Sequence, residues 1–300
     1  MVDLDSYRRF YAEEIQFFAG LPAGPLIEAF AKVPREVFLG PGPWRIGLSS
    51  MAVTPDADPR HVYHNVAASL DAARGLNNGQ PGSLAHWIYL LDLRPGNHVF
   101  HLGCGGGYYT AIMAEVVGPL GKIVASEVHP ALAERAKAAL VAYPNVTVFS
   151  GDGSTLDPGP CDAILVNAGL THLLPHWLDR LREGGRLIAP LTIPFSAGAL
   201  GASGQISPDM AAVWKASGSG VMVKIVREGG GFSAKVVSPV AIYSCENARD
   251  SQMEPLLGKA MATGMLAKIK SIRRDVHQQA DACVLHRSEM CLSAVELTHV

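Results

Sequence analysis

Apolar and polar positions recur with two different periods along this chain, and the change of period divides it. Near the start, Leu4, Tyr7, Tyr11, Ile15 and Phe18 fall at helical spacing, which predicts an amphipathic helix over residues 4–18 packed through that stripe. A second helix runs from Pro25 to about Val33 and stops before Pro34. Pro34–Trp44 holds too much proline and glycine for a regular element and reads as a fixed loop over the surface. From Ser83 short apolar runs alternate with helical patterns: helix Ser83–Leu91, strand His98–Leu102, helix Tyr108–Val117, strand Lys122–Ser126, helix Pro130–Tyr143 and strand Val146–Ser150. Strand Ala163–Asn167, helix Leu174–Leu181 and strand Arg186–Pro190 follow. This alternation implies a parallel sheet covered on both faces, with ligands beyond the carboxyl ends of the strands.

Past Pro190 the pattern changes. Thr192–Gly220 is rich in Gly, Ala and Ser and reads as a loop or lid with one helical turn at Met210–Trp214. Val221–Arg227 and Phe232–Tyr243 flank Gly229-Gly-Gly231, which predicts an antiparallel hairpin. A helix over Pro255–Lys270 and a last strand at Cys283–His286 complete the reading. The expected class is α/β and Rossmann-like, a mostly parallel sheet with helices on both faces and a C-terminal antiparallel hairpin. The expected domains are a helical cap and loop over residues 1–75, a main domain over 76–245 with 192–220 as lid or insertion, and an appendage over 246–300.

At 300 residues, 25 Lys and Arg nearly balance 27 Asp and Glu, so no field favours nucleic acid or an anionic membrane. The opening Met1-Val-Asp-Leu-Asp5 is acidic where a signal peptide is basic, and no apolar run is long enough for a membrane span. The expected location is cytoplasmic. Cys104, Cys161, Cys245, Cys283 and Cys291 are odd in number and lack CxxC spacing, so they read as free thiols, with no metal site expected.

The chemistry concentrates in Val99-Phe-His-Leu-Gly-Cys-Gly-Gly-Gly-Tyr108 and in an acid, Glu127, about 20 residues beyond the turn. A dinucleotide fingerprint needs its third glycine where Tyr108 stands, so a pyrophosphate fits poorly. G-x-G-x-G followed by an aromatic resembles instead the loop of S-adenosylmethionine (SAM) methyltransferases. On that reading Gly103, Cys104, Gly105 and Gly107, with Tyr108, present backbone N–H groups to the carboxylate and ribose side of the cofactor. Glu127, beside Val128, would accept from both ribose hydroxyls. Asp152, between Gly151 and Gly153, would accept from the adenine amino group. Asn167 ends the following strand and completes the cofactor set.

The order of these pieces resembles the protein-L-isoaspartate O-methyltransferase family of class I SAM-dependent methyltransferases, over about residues 33–192. Val33-Pro-Arg-Glu-Val-Phe38, Asn78-Gly-Gln-Pro81, His101-Leu-Gly-Cys-Gly-Gly-Gly-Tyr108, Gly151-Asp-Gly153, Asp162-Ala-Ile-Leu-Val166 and Gly184-Gly-Arg-Leu-Ile-Ala-Pro190 carry the resemblance together. It implies SAM as cofactor and a substrate loop at Asn77–Ser83, with Gln80, Ser83, Asn65 and Tyr63 as the acceptor-side residues. Three positions depart from the family pattern. His101 replaces the acid ending the first strand, so a neutral ring is expected there. Gly79 replaces the substrate-loop hydroxyl, and Asn65 replaces an aspartate.

The resemblance and the lack of a catalytic dyad favour a carboxylate acceptor, because a carboxylate is already ionised at neutral pH and needs no base. The acceptor is then a peptide, a protein or a small metabolite, and the departures point away from the isoaspartyl residue itself. A hydroxyl or amine acceptor, with His64 or His172 as base, is the alternative enzyme reading. A non-catalytic SAM-binding or interaction protein is the alternative outside enzymes.

Overall fold

The computed structural model describes residues 3–47, 51–195 and 208–297. The chain forms two compact units, Met1–Gly153 with Gly198–Ala216, and Ser154–Ala197 with Ser217–Val300.

The first unit opens with α1 (Leu4–Ala19), capped by the Asp3 carboxylate, which accepts the Asp5 N–H at 3.1 Å, and closed by Gly20 in the left-handed region. Tyr11, Ala12 and Ile15 are buried, whereas Tyr7 and Phe18 lie largely in solvent, so the packed stripe is narrower than the spacing predicts. After α2 (Pro25–Lys32) the proline- and glycine-rich segment turns inward rather than over the surface. Arg35–Phe38 forms one 3-10 turn, and Arg35, Phe38, Leu39 and Trp44 are buried. Glycine and proline supply the turns there, while Leu39 and Trp44 cluster with Val62, Ala68, Ile46 and Leu70. Four short strands follow that the periodicity did not reveal: β1 (Arg45–Gly47), β2 (Met51–Val53), β3 (Ala67–Asp71) and β4 (Leu76–Asn77), in the order β2-β1-β3-β4. Strands of two to five residues are too short to show a period.

Arg35 ties these pieces together. Its Nη1 donates to the carbonyls of Val62 at 2.6 Å and His64 at 2.9 Å, and its Nη2 to Val66 O at 2.6 Å and Asn78 Oδ1 at 3.3 Å. The guanidinium carbon lies 5.7 Å from the Tyr11 ring centroid and 5.9 Å from that of Tyr108.

Beyond this cap come α3 (Pro81–Leu90), β5 (His98–Leu102), α4 (Tyr108–Val117), β6 (Lys122–Glu127), α5 (Pro130–Ala139) and β7 (Val146–Ser150). β5, β6 and β7 pair in parallel, with Leu102 beside Ser126 and Glu127 beside Ser150 at their carboxyl ends. Phe100, Ile112, Met113, Ile123 and Ala125 fill the core.

In the second unit β8 (Cys161–Val166) and β9 (Leu181–Pro194) are parallel and joined through α6 (Pro175–Arg180). β10 (Ser217–Glu228) and β11 (Gly231–Tyr243) form the antiparallel hairpin. α7 (Met253–Ala262) leads to β12 (Ser271–Arg273), β13 (Cys283–His286) and β14 (Cys291–Ser293), which extend the antiparallel part in the order β13-β14-β12-β11-β10-β9-β8. Trp177, Leu187, Met222, Ile225 and Leu257 are buried here.

Three expectations are corrected. Thr192–Gly220 is not one loop: β9 reaches Pro194, β10 starts at Ser217, and Gly218 pairs with Pro194. A Cβ on Gly218 or Gly220 would meet Ile193 O at 2.4 Å or Leu191 O at 1.9 Å, so glycines that read as loop serve a close backbone approach. The turn placed at Met210–Trp214 is a full helix, Pro208–Ala216, and the rest of that segment, 196–207, lies outside the described residues. Helix Pro255–Lys270 ends early, at Ala262, because Gly264 adopts φ 69°, and a 3-10 turn covers Met265–Lys268. No helix among the described residues is long and apolar enough to cross a membrane.

Arg35→Leu should cost about 3–5 kcal/mol of stability, because buried carbonyls and the Asn78 amide would lose their donor. Urea denaturation of the two proteins measures this, and a difference below about 1 kcal/mol would show that water replaces the guanidinium.

Candidate functional site

The turn after β5 is built on glycines because its backbone enters the left-handed region at φ 75°, 56° and 92° for Gly103, Gly105 and Gly107. Its amides turn inward more than expected. Gly103 and Cys104 both donate to Ser126 O, at 2.9 and 3.0 Å, and Gly107 donates to Cys104 O at 2.9 Å. Gly105 donates to Glu127 Oε2 at 2.8 Å. Four N–H groups expected to face a ligand are thus spent on the protein, which fixes the turn to β6. A Cβ on Gly106 would lie 2.3 Å from Phe38 O, so that glycine seats the turn on the buried 3-10 segment. Among the described residues other than its chain neighbours, a Cβ built on Gly105 would meet Leu70 Cδ1 alone, at 3.0 Å.

Glu127 ends β6 with its side chain buried and turned toward this loop. Besides the Gly105 N–H it accepts the His129 N–H at 3.0 Å through Oε1. Each carboxylate oxygen accepts one backbone N–H and keeps a second lone pair for a hydroxyl donor. Val128 follows it, half-buried. Gly151 donates to Glu127 O at 2.8 Å, and Gly153 packs where a Cβ would clash with Ser126 Oγ, so Asp152 is held at the carboxyl end of β7 beside that of β6. The Cys104 thiol is buried, and burial together with the Glu127 charge pushes its pKa up, which keeps it protonated. Tyr108 is committed elsewhere: its ring packs against Phe30, Phe38 and Tyr109, and its hydroxyl donates to Tyr11 Oη at 3.3 Å. Asn167 belongs to the second unit, immediately after β8.

His101 is fully buried, and its Nδ1 lies 2.9 Å from Thr110 Oγ1 while Nε2 has no protein partner among the described residues. Burial lowers its pKa to about 3, so the ring is neutral at physiological pH.

On the acceptor side, Asn65 Oδ1 accepts the Gly82 N–H at 2.7 Å, and Gln80 Nε2 approaches Asn65 O at 3.4 Å. Ser83 Oγ donates to Gln80 Oε1 at 3.3 Å. Gly79 sits at φ 74°, its N–H held by Asn77 Oδ1 at 2.8 Å and its carbonyl accepting the Tyr109 hydroxyl at 3.3 Å. Gln80, Ser83 and Asn65 therefore come together. Tyr63 does not join them, because its hydroxyl is held between Glu36 and Arg8. Four residues at this loop went unnoticed in the sequence. Glu14 accepts the Asn65 N–H at 3.1 Å, and Phe18 lies over Gly82, where any Cβ would clash with its ring. Arg35 and Tyr109 contribute through Asn78 and Gly79. Only the helical spacing of Glu14 and Phe18 beside Ile15 signalled the first two. His64 is exposed, and His172, in the second unit, shares Nδ1 with Thr171 Oγ1 at 3.0 Å.

Residues 49–197 match the family model for protein-L-isoaspartate(D-aspartate) O-methyltransferase. A protein-L-isoaspartate O-methyltransferase 2 of Archaeoglobus fulgidus is 34% identical over 194 residues, 63% of this chain and 80% of that protein. The chain belongs to the protein-L-isoaspartate O-methyltransferase family. The Ignicoccus hospitalis relative is 34% identical over 168 residues, 55% of this chain and 72% of that protein. A solved protein-L-isoaspartate O-methyltransferase superposes with a TM-score of 0.61 at 22% identity, over 84% of this chain and 69% of the other. A candidate member from Plasmodium falciparum, solved with S-adenosyl-L-homocysteine, gives 0.58 at 16% identity, over 80% and 98%. The fold is accordingly the Rossmann-like class I methyltransferase fold with C-terminal antiparallel strands. This family member is a SAM-dependent carboxyl O-methyltransferase with SAM as its cofactor, and the hydroxyl, amine and non-catalytic readings give way.

The buried His101 makes stability depend on pH. The unfolded chain binds a proton at this residue below about 6.5, whereas the native ring resists protonation down to about 3. Its share of the stability is therefore complete above pH 6.5 and is lost as pH falls, at no more than about 1.4 kcal/mol per unit. Urea unfolding at pH 7, 6 and 5 should show this slope, and His101→Gln should flatten it.

Proposed function

We propose that the acceptor is the carboxylate of an isoaspartyl residue exposed in a peptide or protein, and that it meets the enzyme at the Asn77–Ser83 loop. The observation that carries this reading is the bond from the Gly82 N–H to Asn65 Oδ1, at 2.7 Å. A carboxamide oxygen and a carboxylate oxygen accept that bond alike, so Asn65 keeps the anchoring role open to the family's aspartate. The family match spans the whole loop. Gly79 lacks the family's hydroxyl, and its φ of 74° is one that serine rarely adopts. Ser83 offers the hydroxyl instead, through a long bond to Gln80 that an acceptor oxygen can replace. An ionised acceptor needs no base, in keeping with an exposed His64 and a hydrogen-bonded His172.

The residues at the carboxyl ends of β5, β6 and β7 fit the cofactor. Glu127 would hold the ribose hydroxyls with its unused lone pairs, Asp152 the adenine amino group, and the open side of Gly105 would let the ligand approach the backbone. The neutral His101 ring offers a buried Nε2, unpartnered among the described residues, without placing a positive charge against an ammonium. When bound, SAM supplies a sulfonium methyl group to the acceptor oxygen. The protein's part is to position the acceptor and exclude water.

Glu127→Ala should weaken SAM binding by about 1.5–3 kcal/mol, the cost of losing hydrogen bonds to a charged group. Isothermal titration of a variant shown to be folded reads this, and unchanged affinity would remove Glu127 from the cofactor site. Methyl-labelled SAM with an isoaspartyl peptide should give label that leaves as methanol in mild alkali, at a rate flat from about pH 6 upward, while the aspartyl twin stays unlabelled. Base-stable label would refute ester formation. Base-labile label on other carboxylates, without the isoaspartyl peptide, would keep the chemistry and overturn the proposed acceptor.

A further inference from the structure

The C-terminal strands carry a cluster that the cofactor chemistry does not use. His277, Cys283, His286 and Cys291 each offer one ligand atom, and these four atoms all lie within 4.8 Å of one another. The strand register explains how they meet. His286 and Cys291 are directly opposed on β13 and β14, so their side chains share a face. Cys283 precedes His286 by three residues, which in a regular strand would put it on the other face. The ladder slips between Cys283 and Leu285, leaving Val284 as the extra residue of a bulge. Cys283 thus opposes Ser293, two residues from Cys291, and joins the same face. His277 comes from the loop after β12, whose Arg273 pairs with Cys291.

The surroundings suit a metal site in three respects. The His277 Nδ1 lies 2.8 Å from Asp275 O, which fixes the tautomer with the proton on Nδ1 and leaves the Nε2 lone pair toward the cluster. That Nε2 stands 3.4 Å from Cys283 Sγ, close to the roughly 3.5 Å edge of a tetrahedron with zinc–sulfur bonds near 2.3 Å and zinc–nitrogen bonds near 2.0 Å. The Ala280 N–H points at Cys283 Sγ over 3.4 Å, a donor suited to a thiolate. His286 Nδ1 is buried without a protein partner among the described residues. Both cysteines are buried, and Met290, Leu285 and Leu292 around them are buried and apolar. Two thiolates would neutralise a divalent ion in that setting, where an unbalanced charge would be costly.

We propose that His277, Cys283, His286 and Cys291 form a structural zinc site that fastens the 274–282 loop to the terminal strands. Two sulfur and two imidazole ligand atoms within 4.8 Å of one another favour zinc over harder, oxygen-preferring cations. Four protein ligands leave no open coordination position, so the ion serves the fold and not the methyl transfer. This proposal departs from the expectation of no metal site. That expectation weighed the cysteines by themselves, whereas the ligand set is half histidine and depends on a bulge that no spacing rule shows.

The test uses the full-length protein, purified under reducing conditions without chelator. Elemental analysis should find zinc at one equivalent per chain. After chelator stripping, Co2+ should restore a tetrahedral cobalt–thiolate spectrum, which zinc then displaces. Cys283→Ser with Cys291→Ser should weaken zinc binding more than about 100-fold, beyond the usual loss from altering an outer-shell partner, while Cys245→Ser retains it. The cobalt spectrum of the unaltered protein decides the matter even where the double variant fails to fold. Substoichiometric zinc with no tetrahedral cobalt spectrum would overturn the site, as would an intact mass two hydrogens low that marks a Cys283–Cys291 disulfide.

Discussion

The first unit depends on a cation that has no acid to balance it among the described residues. Arg35 is fully buried, yet its acceptors are three backbone carbonyls and the side-chain oxygen of Asn78. Those carbonyls belong to 62–66, a stretch without enough regular structure to satisfy them internally, so the guanidinium supplies the missing donors. The rings of Tyr11 and Tyr108 then bring α1 and the start of α4 to the same charge. One side chain thereby fixes the cap, the segment that presents Asn65 and the helix that follows the glycine turn. The turn gains its shape from the same region, since Gly106 is seated on the carbonyl of Phe38, three residues from Arg35.

Glu127 plays the corresponding part at the carboxyl ends of the parallel strands. It fastens the glycine turn through Gly105 and the entry to α5 through His129. It is therefore an organiser of the site before any ligand arrives, which is the condition for binding without rearrangement. His101 follows a different logic: the family's charged group is replaced by a neutral ring, and the protein meets the burial by bonding one nitrogen to Thr110.

Where the periodicity was long and regular, the sequence was legible. β5 and α4 have the predicted limits, and β6 differs by one residue at its end, because continuous apolar strands separated by ten-residue helices leave little freedom in pairing. Glycines mislead in 192–220, which reads as loop, whereas Gly218 and Gly220 are places where another backbone comes close, as Gly106 is in the turn after β5. The inward course of 34–44 was hidden because proline and glycine dominate its composition while Arg35, Leu39 and Trp44 decide its burial. From a helix more than 50 positions earlier, Glu14 reaches Asn65 and Phe18 reaches Gly82, and the helical spacing of the two residues does not show where they land.

The bulge at Val284 bears on how this branch could be traced among its relatives. Because Val284 is the extra residue of the bulge, its loss would leave a regular ladder in which the cysteine stands two residues before the histidine, still opposes Ser293 and keeps the shared face. Chain length between the ligands is thus freer to vary than the ligands themselves. A single-codon deletion in β13 is a change that a lineage could absorb without giving up the tetrad.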